Sequence, residues 1–167
     1  KHKSVELVGL GARDSLRLEA GLCLYGQDID TKTSPVAAGL NWAMHKSRLS
    51  KGQKEGSFPG ANTILSEIKN GSEYKLAGFV PLGKAPIRTD TKLFDNGTSS
   101  VPIGRITSGL FSPTQKHPIA LGYIKSEFSH LGHRVNAQVR GKLLEVEVTS
   151  LPFVKKNFKK INFWRNI

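Results

Sequence analysis

Near the N-terminus, Gly9-Leu10-Gly11-Ala12-Arg13-Asp14 sets two glycines and a guanidinium at the start of an apolar-periodic stretch. Free backbone N–H groups at a helix start can meet an anion, and an arginine beside them adds a planar, bidentate donor. A tight turn carrying a surface arginine fits the same residues. A dinucleotide-binding fingerprint is excluded, because Asp14 stands where the third glycine belongs, no strand precedes it and no βαβ pattern follows. His117, His130 and His133 have no carboxylate at ligand spacing, so they read as surface histidines and no metal is expected. Ser108 and Ser112 lack a nucleophile-elbow pattern. The single cysteine, Cys23, rules out an internal disulfide and a Cys-based zinc site; lying between Leu22 and Leu24, it reads as a buried thiol. At the C-terminal end Lys155, Lys156, Lys159, Lys160 and Arg165 alternate with Phe153, Phe158, Phe163 and Trp164. That mixture suits single-stranded nucleic acid, a flat heterocycle with a charged tail, or a segment docked by its rings with solvated lysines.

The elements that must position these groups follow from periodicity. Residues 10–25 read as a helix whose apolar face is Ala12, Leu16, Ala20 and Cys23, with Arg13, Asp14 and Arg17 off that face and Asp14 and Arg17 able to pair on the surface. Gly21 weakens the helix and Gly26 stops it. Leu40–Met44 reads as a short strand, and the polar stretch His45–Gly56 as an exposed connector and domain boundary. Ser57-Phe58-Pro59 marks the start of a second helix, with Ile64, Leu65 and Ile68 on its apolar face and Asn70-Gly71 as its stop. From Tyr74 onward short apolar runs alternate with turn signals: 74–80, 85–88, 91–94, 103–108, 119–124, 134–140 and 143–148, with turns at 95–97 and 141–142. Such spacing predicts a small antiparallel barrel. The fold class is therefore α+β, mainly β, a C-terminal antiparallel barrel preceded by a helical segment.

Composition is that of an ordinary folded chain of 167 residues, with 38% hydrophobic and 23% charged side chains. Its formal net charge of +12, from 25 Lys and Arg against 13 Asp and Glu, favours an anionic partner: nucleic acid, anionic lipid, an acidic protein or a polyanionic cofactor. No apolar run approaches the roughly twenty residues a membrane helix needs, so no membrane partner is expected.

The run from Gly9 to Asp30, GLGARDSLRLEAGLCLYGQDID, resembles the signature of the glycine cleavage T-proteins. The resemblance continues through Thr33–Trp42, Phe58–Ala61, Gly104–Pro113, Ile119–Tyr123, Val139–Lys142 and Pro152–Val154, in family order over nearly the whole chain. It implies three domains around a channel for tetrahydrofolate, the third a β-barrel. Residues 1–45 would be the end of the folate-binding first domain, and 46–167 the barrel domain. The implied reaction frees ammonia from the aminomethyl group on the lipoyl arm of H-protein and forms 5,10-methylenetetrahydrofolate. The family's catalytic aspartate lies in an N-terminal half not represented here, so no catalytic residue is assigned; Asp14, Asp28 and Asp30 are not substitutes, and the chain alone is expected to be inactive. Two positions carry over as folate ligands: Arg13, and Phe158, which stands where the family has a tyrosine and so lacks its hydroxyl. Trp42 is expected to pack. The Leu22–Gly26 run resembles mitochondrial members, which implies the matrix, with the bacterial cytoplasm as alternative. A basic-barrel module for nucleic acid is the competing function.

Overall fold

A computed structural model describes residues 5–97 and 101–155. Phe158 and the cationic-aromatic tail from residue 156 lie outside the described residues. Helix α1 spans Leu10–Glu19 and helix α2 Ala61–Asn70. Six strands follow: β1 Tyr74–Pro81, β2 Lys92–Phe94, β3 Gly104–Ser112, β4 His117–Lys125, β5 Arg134–Val139 and β6 Lys142–Thr149. They close in the order β1-β4-β3-β2-β5-β6, every pair antiparallel. The mainly-β barrel expected from the turn spacing is thus the observed fold. Among the described residues no helix is long and apolar enough to cross a membrane.

Strand alternation builds two apolar layers. Inward-facing Ala77, Phe79, Ile106, Ala120, Ile124, Val135, Ala137, Val146 and Val148 fill the barrel. On the outer wall Leu76, Val80, Leu110, Ile119 and Leu121 form a second cluster, capped by Leu18 of α1 and by Leu151 and Phe153. Strand β4 is therefore buried on both faces, which is why Ile119–Ile124 is a continuous apolar run rather than an alternating one. The β5–β6 turn is the two residues Arg140 and Gly141, both at positive φ (50° and 78°) and closed by Val139 opposite Lys142. That is the hairpin geometry whose twist matches the strands. It sits one residue before the turn read from sequence.

Several local expectations need correction. Helix α1 ends at Glu19, not near residue 25: Gly21 takes φ +66°, its N–H bonds Leu18 O and the Leu22 N–H bonds Arg17 O. This paired reverse bonding closes a helix and favours glycine at that position. Leu40–Met44 is not a strand but carries a 3-10 turn at Asn41–Ala43. Helix α2 starts after Gly60, at φ +77°, rather than at Ser57. Residues 85–88 form no strand; Ile87 is instead buried in the barrel end, its carbonyl lying over Gly109. Trp42 does not pack: it is 81% exposed.

Strands β3 and β4 approach so closely that a Cβ on Gly122 would lie 2.4 Å from the Arg105 carbonyl oxygen, and one on Gly104 2.3 Å from that of Tyr123. The obstruction is backbone, so it cannot rotate away. Gly122→Ala should lower unfolding free energy by about 1–3 kcal/mol in a urea titration, the usual range for overpacking, while Gly83→Ala, with nothing near its Cβ, should be close to neutral.

Candidate functional site

The chemistry-bearing residues of the N-terminal segment meet the barrel along β3, and a bulge decides which ones. The β3–β4 register shifts between Ile106 and Ser108. Before it Arg105 and Thr107 stand outside the barrel, as neighbours two apart do; after it Ser108, Leu110 and Ser112 do. An extra residue in a strand inverts the alternation in this way. Consecutive residues Thr107 and Ser108 consequently reach one target. Both hydroxyls donate to Asp28 Oδ1, each at 2.6 Å.

Asp28 is fully buried and its second oxygen is also taken. Oδ2 accepts from the Leu24 N–H at 2.9 Å and pairs closely with Arg17 Nη1. Arg17, whose side chain is 10% exposed, donates further to Ser108 Oγ at 2.9 Å and, through Nε, to Asp14 Oδ1 at 2.8 Å. The expected Asp14–Arg17 pair therefore exists, but Arg17 is a buried tie between α1 and β3 rather than a surface residue. The helix face read as apolar is correspondingly wrong: Leu16 is exposed and Cys23 only half-buried, whereas Leu18 and Glu19 are buried. Burial, with Asp28 nearby, pushes the Cys23 thiol above its ordinary pKa, so it is protonated at neutral pH.

A second tie lies two residues on. Glu19 accepts from Ser112 Oγ, from the Thr114 N–H at 2.9 Å and from Thr114 Oγ1 at 2.8 Å, and its carbonyl receives the Val154 N–H at 3.0 Å. Burial alone would raise the Glu19 pKa. The hydrogen bonds from Ser112 and Thr114 outweigh it, and the net shift is downward. Sequence reasoning read Arg17 as a surface residue, set Asp28 aside and did not single out Glu19, because the barrel partners of the three lie 91, about 80 and 93 residues away. The only local signal was polar residues flanking Leu18 on a helix that had too few apolar positions to bury itself.

Arg13 sits one turn before Arg17 on the same side of α1, since four residues advance about 400°. It is exposed, and among the described residues no hydrogen bond or ion pair engages its guanidinium. Of the two arginines on this side of the helix, one is thus consumed by the scaffold and one is free. Val5, Leu7, Val8 and Leu10, which precede it in the chain, and Leu16, three residues after it, are exposed. His130 is exposed, His117 and His133 half-buried, and no group of three potential metal ligands occurs among the described residues.

Two family models match: the glycine cleavage T-protein C-terminal barrel domain over residues 75–155, and the GCVT N-terminal domain over residues 1–48. The mitochondrial aminomethyltransferase of Dictyostelium discoideum is 42% identical over 94% of this chain and 38% of its own length. That of Pisum sativum is 45% identical over 93% and 36%. The crystal structure of the glycine cleavage system aminomethyltransferase T from Bartonella henselae superposes with a TM-score of 0.83 at 41% identity, covering 93% of this chain and 41% of that one. The chain therefore spans about two fifths of the length of the relatives it matches.

Two measurements test the ties. Asp28→Asn keeps the shape but removes the buried one of Arg17's two anions, leaving only the partly exposed Asp14, and should cost up to about 3–5 kcal/mol of stability, the range for breaking a buried pair, read by thermal or urea unfolding. For Glu19, a folded-state pKa below the unfolded one means its contribution is complete above the unfolded value and lost as pH falls through the folded value. Unfolding midpoints followed downward from pH 6 should fall more steeply in the parent chain than in Glu19→Gln.

Proposed function

Because this chain belongs to the glycine cleavage T-protein family, we propose that it is the C-terminal, folate-gripping part of an aminomethyltransferase of the glycine cleavage system. In this reading the whole protein takes the aminomethyl group from the lipoyl arm of H-protein, releases ammonia and passes the carbon to tetrahydrofolate as the 5,10-methylene derivative. Residues 1–45 are the end of the folate-binding first domain and 46–167 the barrel domain. The mitochondrial names of the plant and Dictyostelium relatives support a matrix location.

The observation that carries the proposal is the free guanidinium of Arg13 on a helix fixed at its other end. A planar fork matches the terminal carboxylate of folate, and a charge-assisted bidentate contact is the strong kind. The helix is pinned by Arg17–Asp28, Leu18 and Glu19, so little ordering of backbone remains to oppose binding. Exposed Val5, Leu7, Val8 and Leu10, in the segment that leads into α1, suit a surface completed by more of a folate-binding domain. Phe158 is retained as a stacking ring for the same ligand, without a hydroxyl to donate.

The aspartates of the N-terminal segment support placing the catalytic carboxylate elsewhere in the protein. Asp28 is saturated by four donors, and Asp14 is bound to Arg17. Asp30 accepts from Thr33 Oγ1 and the Lys32 N–H, which hold its pKa below the ordinary value. None of them is a poised base.

In the full-length enzyme, Arg13→Ala should weaken tetrahydrofolate binding roughly ten- to a hundredfold, the equivalent of about 1.5–3 kcal/mol for one charge-assisted contact, in a calorimetric titration. Arg13→Lys should fall between the two, keeping charge but losing the fork. A titration unchanged by either substitution removes Arg13 from the site. Oligonucleotide binding that collapses with added salt, beside folate binding that ignores Arg13, would favour the nucleic-acid module instead.

A further inference from the structure

Arg13 can grip an anion only where helix α1 puts it, and α1 is weak where Arg13 stands. Isolated helices shorter than roughly twelve to fifteen residues are marginal in water, and this one has ten. Gly9 caps it without a side-chain acceptor, no acidic residue lies in its first turn, and Gly11 lowers its propensity. Its two buried residues, Leu18 and Glu19, are its last two. Leu10, Gly11, Arg13 and Leu16 are exposed. The helix is therefore anchored at one end, and the turn that carries Arg13 projects from that anchor.

A side-chain contact joins that turn to the anchor. Asp14, next to Arg13 in the chain, accepts from Arg17 Nε at 2.8 Å and pairs with Nη2 at 2.7 Å. A pair three residues apart on an open helix surface adds little. This one differs because its arginine is held from behind. Arg17 is 10% exposed, its Nη1 pairs with buried Asp28, and its Nη2 donates to Ser108 Oγ at 2.9 Å. Ser108 is itself fully buried on β3 and donates to Asp28 Oδ1 at 2.6 Å. The fork of Arg17 thus reaches Asp14 on one side and the barrel wall on the other. All three of its nitrogens are engaged, so none is left for a ligand.

We propose that Arg17 and the barrel residue Ser108 are positioning residues for the anion contact of Arg13. Given the reading of Arg13 as a folate contact, on which this rests, neither touches folate. Both keep the first turns of α1 helical and in place before folate arrives. A helix end that must be ordered during binding weakens that binding, because only part of the population is then competent. The barrel accordingly sets folate affinity through Arg17 and Asp14 without lining the contact.

Calorimetric titration of tetrahydrofolate into the full-length enzyme tests this as a double-mutant cycle. Ser108→Ala removes one of the two hydroxyls on Asp28 and an acceptor of Arg17, and leaves every charge in place. It should weaken folate binding roughly three- to tenfold, the scale of one hydrogen bond. With Arg13→Ala already present it should change affinity by less than about twofold, since the contact it positions is gone. A merely structural role would lower the melting temperature on both backgrounds and leave affinity alone. In the 167-residue chain without folate, Ser108→Ala should speed amide exchange at residues 14–18 roughly three- to tenfold and leave β6 unchanged. The proposal is overturned if Ser108→Ala binds folate as the parent does, if it weakens binding equally on both backgrounds, or if those amides keep the parent's exchange rate. Arg13→Ala that weakens binding while Ser108→Ala does not removes the positioning role alone and leaves the folate reading standing. Arg13→Ala without effect removes both.

Discussion

A carboxylate taken out of water must be fully paired, and the arrangement of this chain follows from how Asp28 meets that demand. The desolvation cost of a buried ion is several kcal/mol, recovered only when its lone pairs are all engaged. Asp28 has a guanidinium, a backbone N–H and two hydroxyls. Two of those donors, Thr107 and Ser108, are neighbours on one strand and could not both face it in a regular ladder. The bulge at that point is therefore a condition of the clamp rather than an irregularity. It also fixes the parity of everything after it: Leu110 meets the Leu18 cluster and Ser112 meets Glu19 because Ser108 had to meet Asp28.

The barrel was legible because its signals are local. Alternating Leu144, Val146 and Val148, and turn residues at short intervals, specify strands without knowledge of their partners, and the observed bounds lie within a few residues of those read. The failures share one cause. At 85–88, apolar residues that looked like a strand are an inserted loop whose Ile87 is buried by contacts from elsewhere. At 40–44, apolar side chains remain largely exposed, so burial gave no reason for extension. Periodicity reports which residues are alike, not whether a surface exists to receive them.

The site was less legible, and α1 shows why. Its apolar residues suggested one buried stripe, whereas its buried side chains include Glu19 and much of Arg17. A charged side chain is read as solvent-facing unless its surroundings are visible, and the β3 strand and the turn after it that cover Arg17 and Glu19 lie about half the chain away. Its spacing left Arg13 open between an anion contact and a plain surface arginine, and only family resemblance chose the first. In the fold it differs from Arg17 by the one property sequence cannot give, the absence of a partner among the described residues.

That difference bears on how a strongly basic chain achieves selectivity. A net charge of +12 attracts any anion, but long-range attraction alone does not discriminate among them. Discrimination needs cations whose positions are set before the ligand arrives, since each freely rotating side chain that must be ordered costs about 0.5–1.5 kcal/mol. Most lysines among the described residues are exposed and meet no such condition. Arg13 extends from a helix tied down at its far end. The clamp at Asp28 holds α1 beneath it against the outer face of β3. Loosening it would leave the charge of the chain intact while removing the fixed geometry through which that charge could select one anion over another.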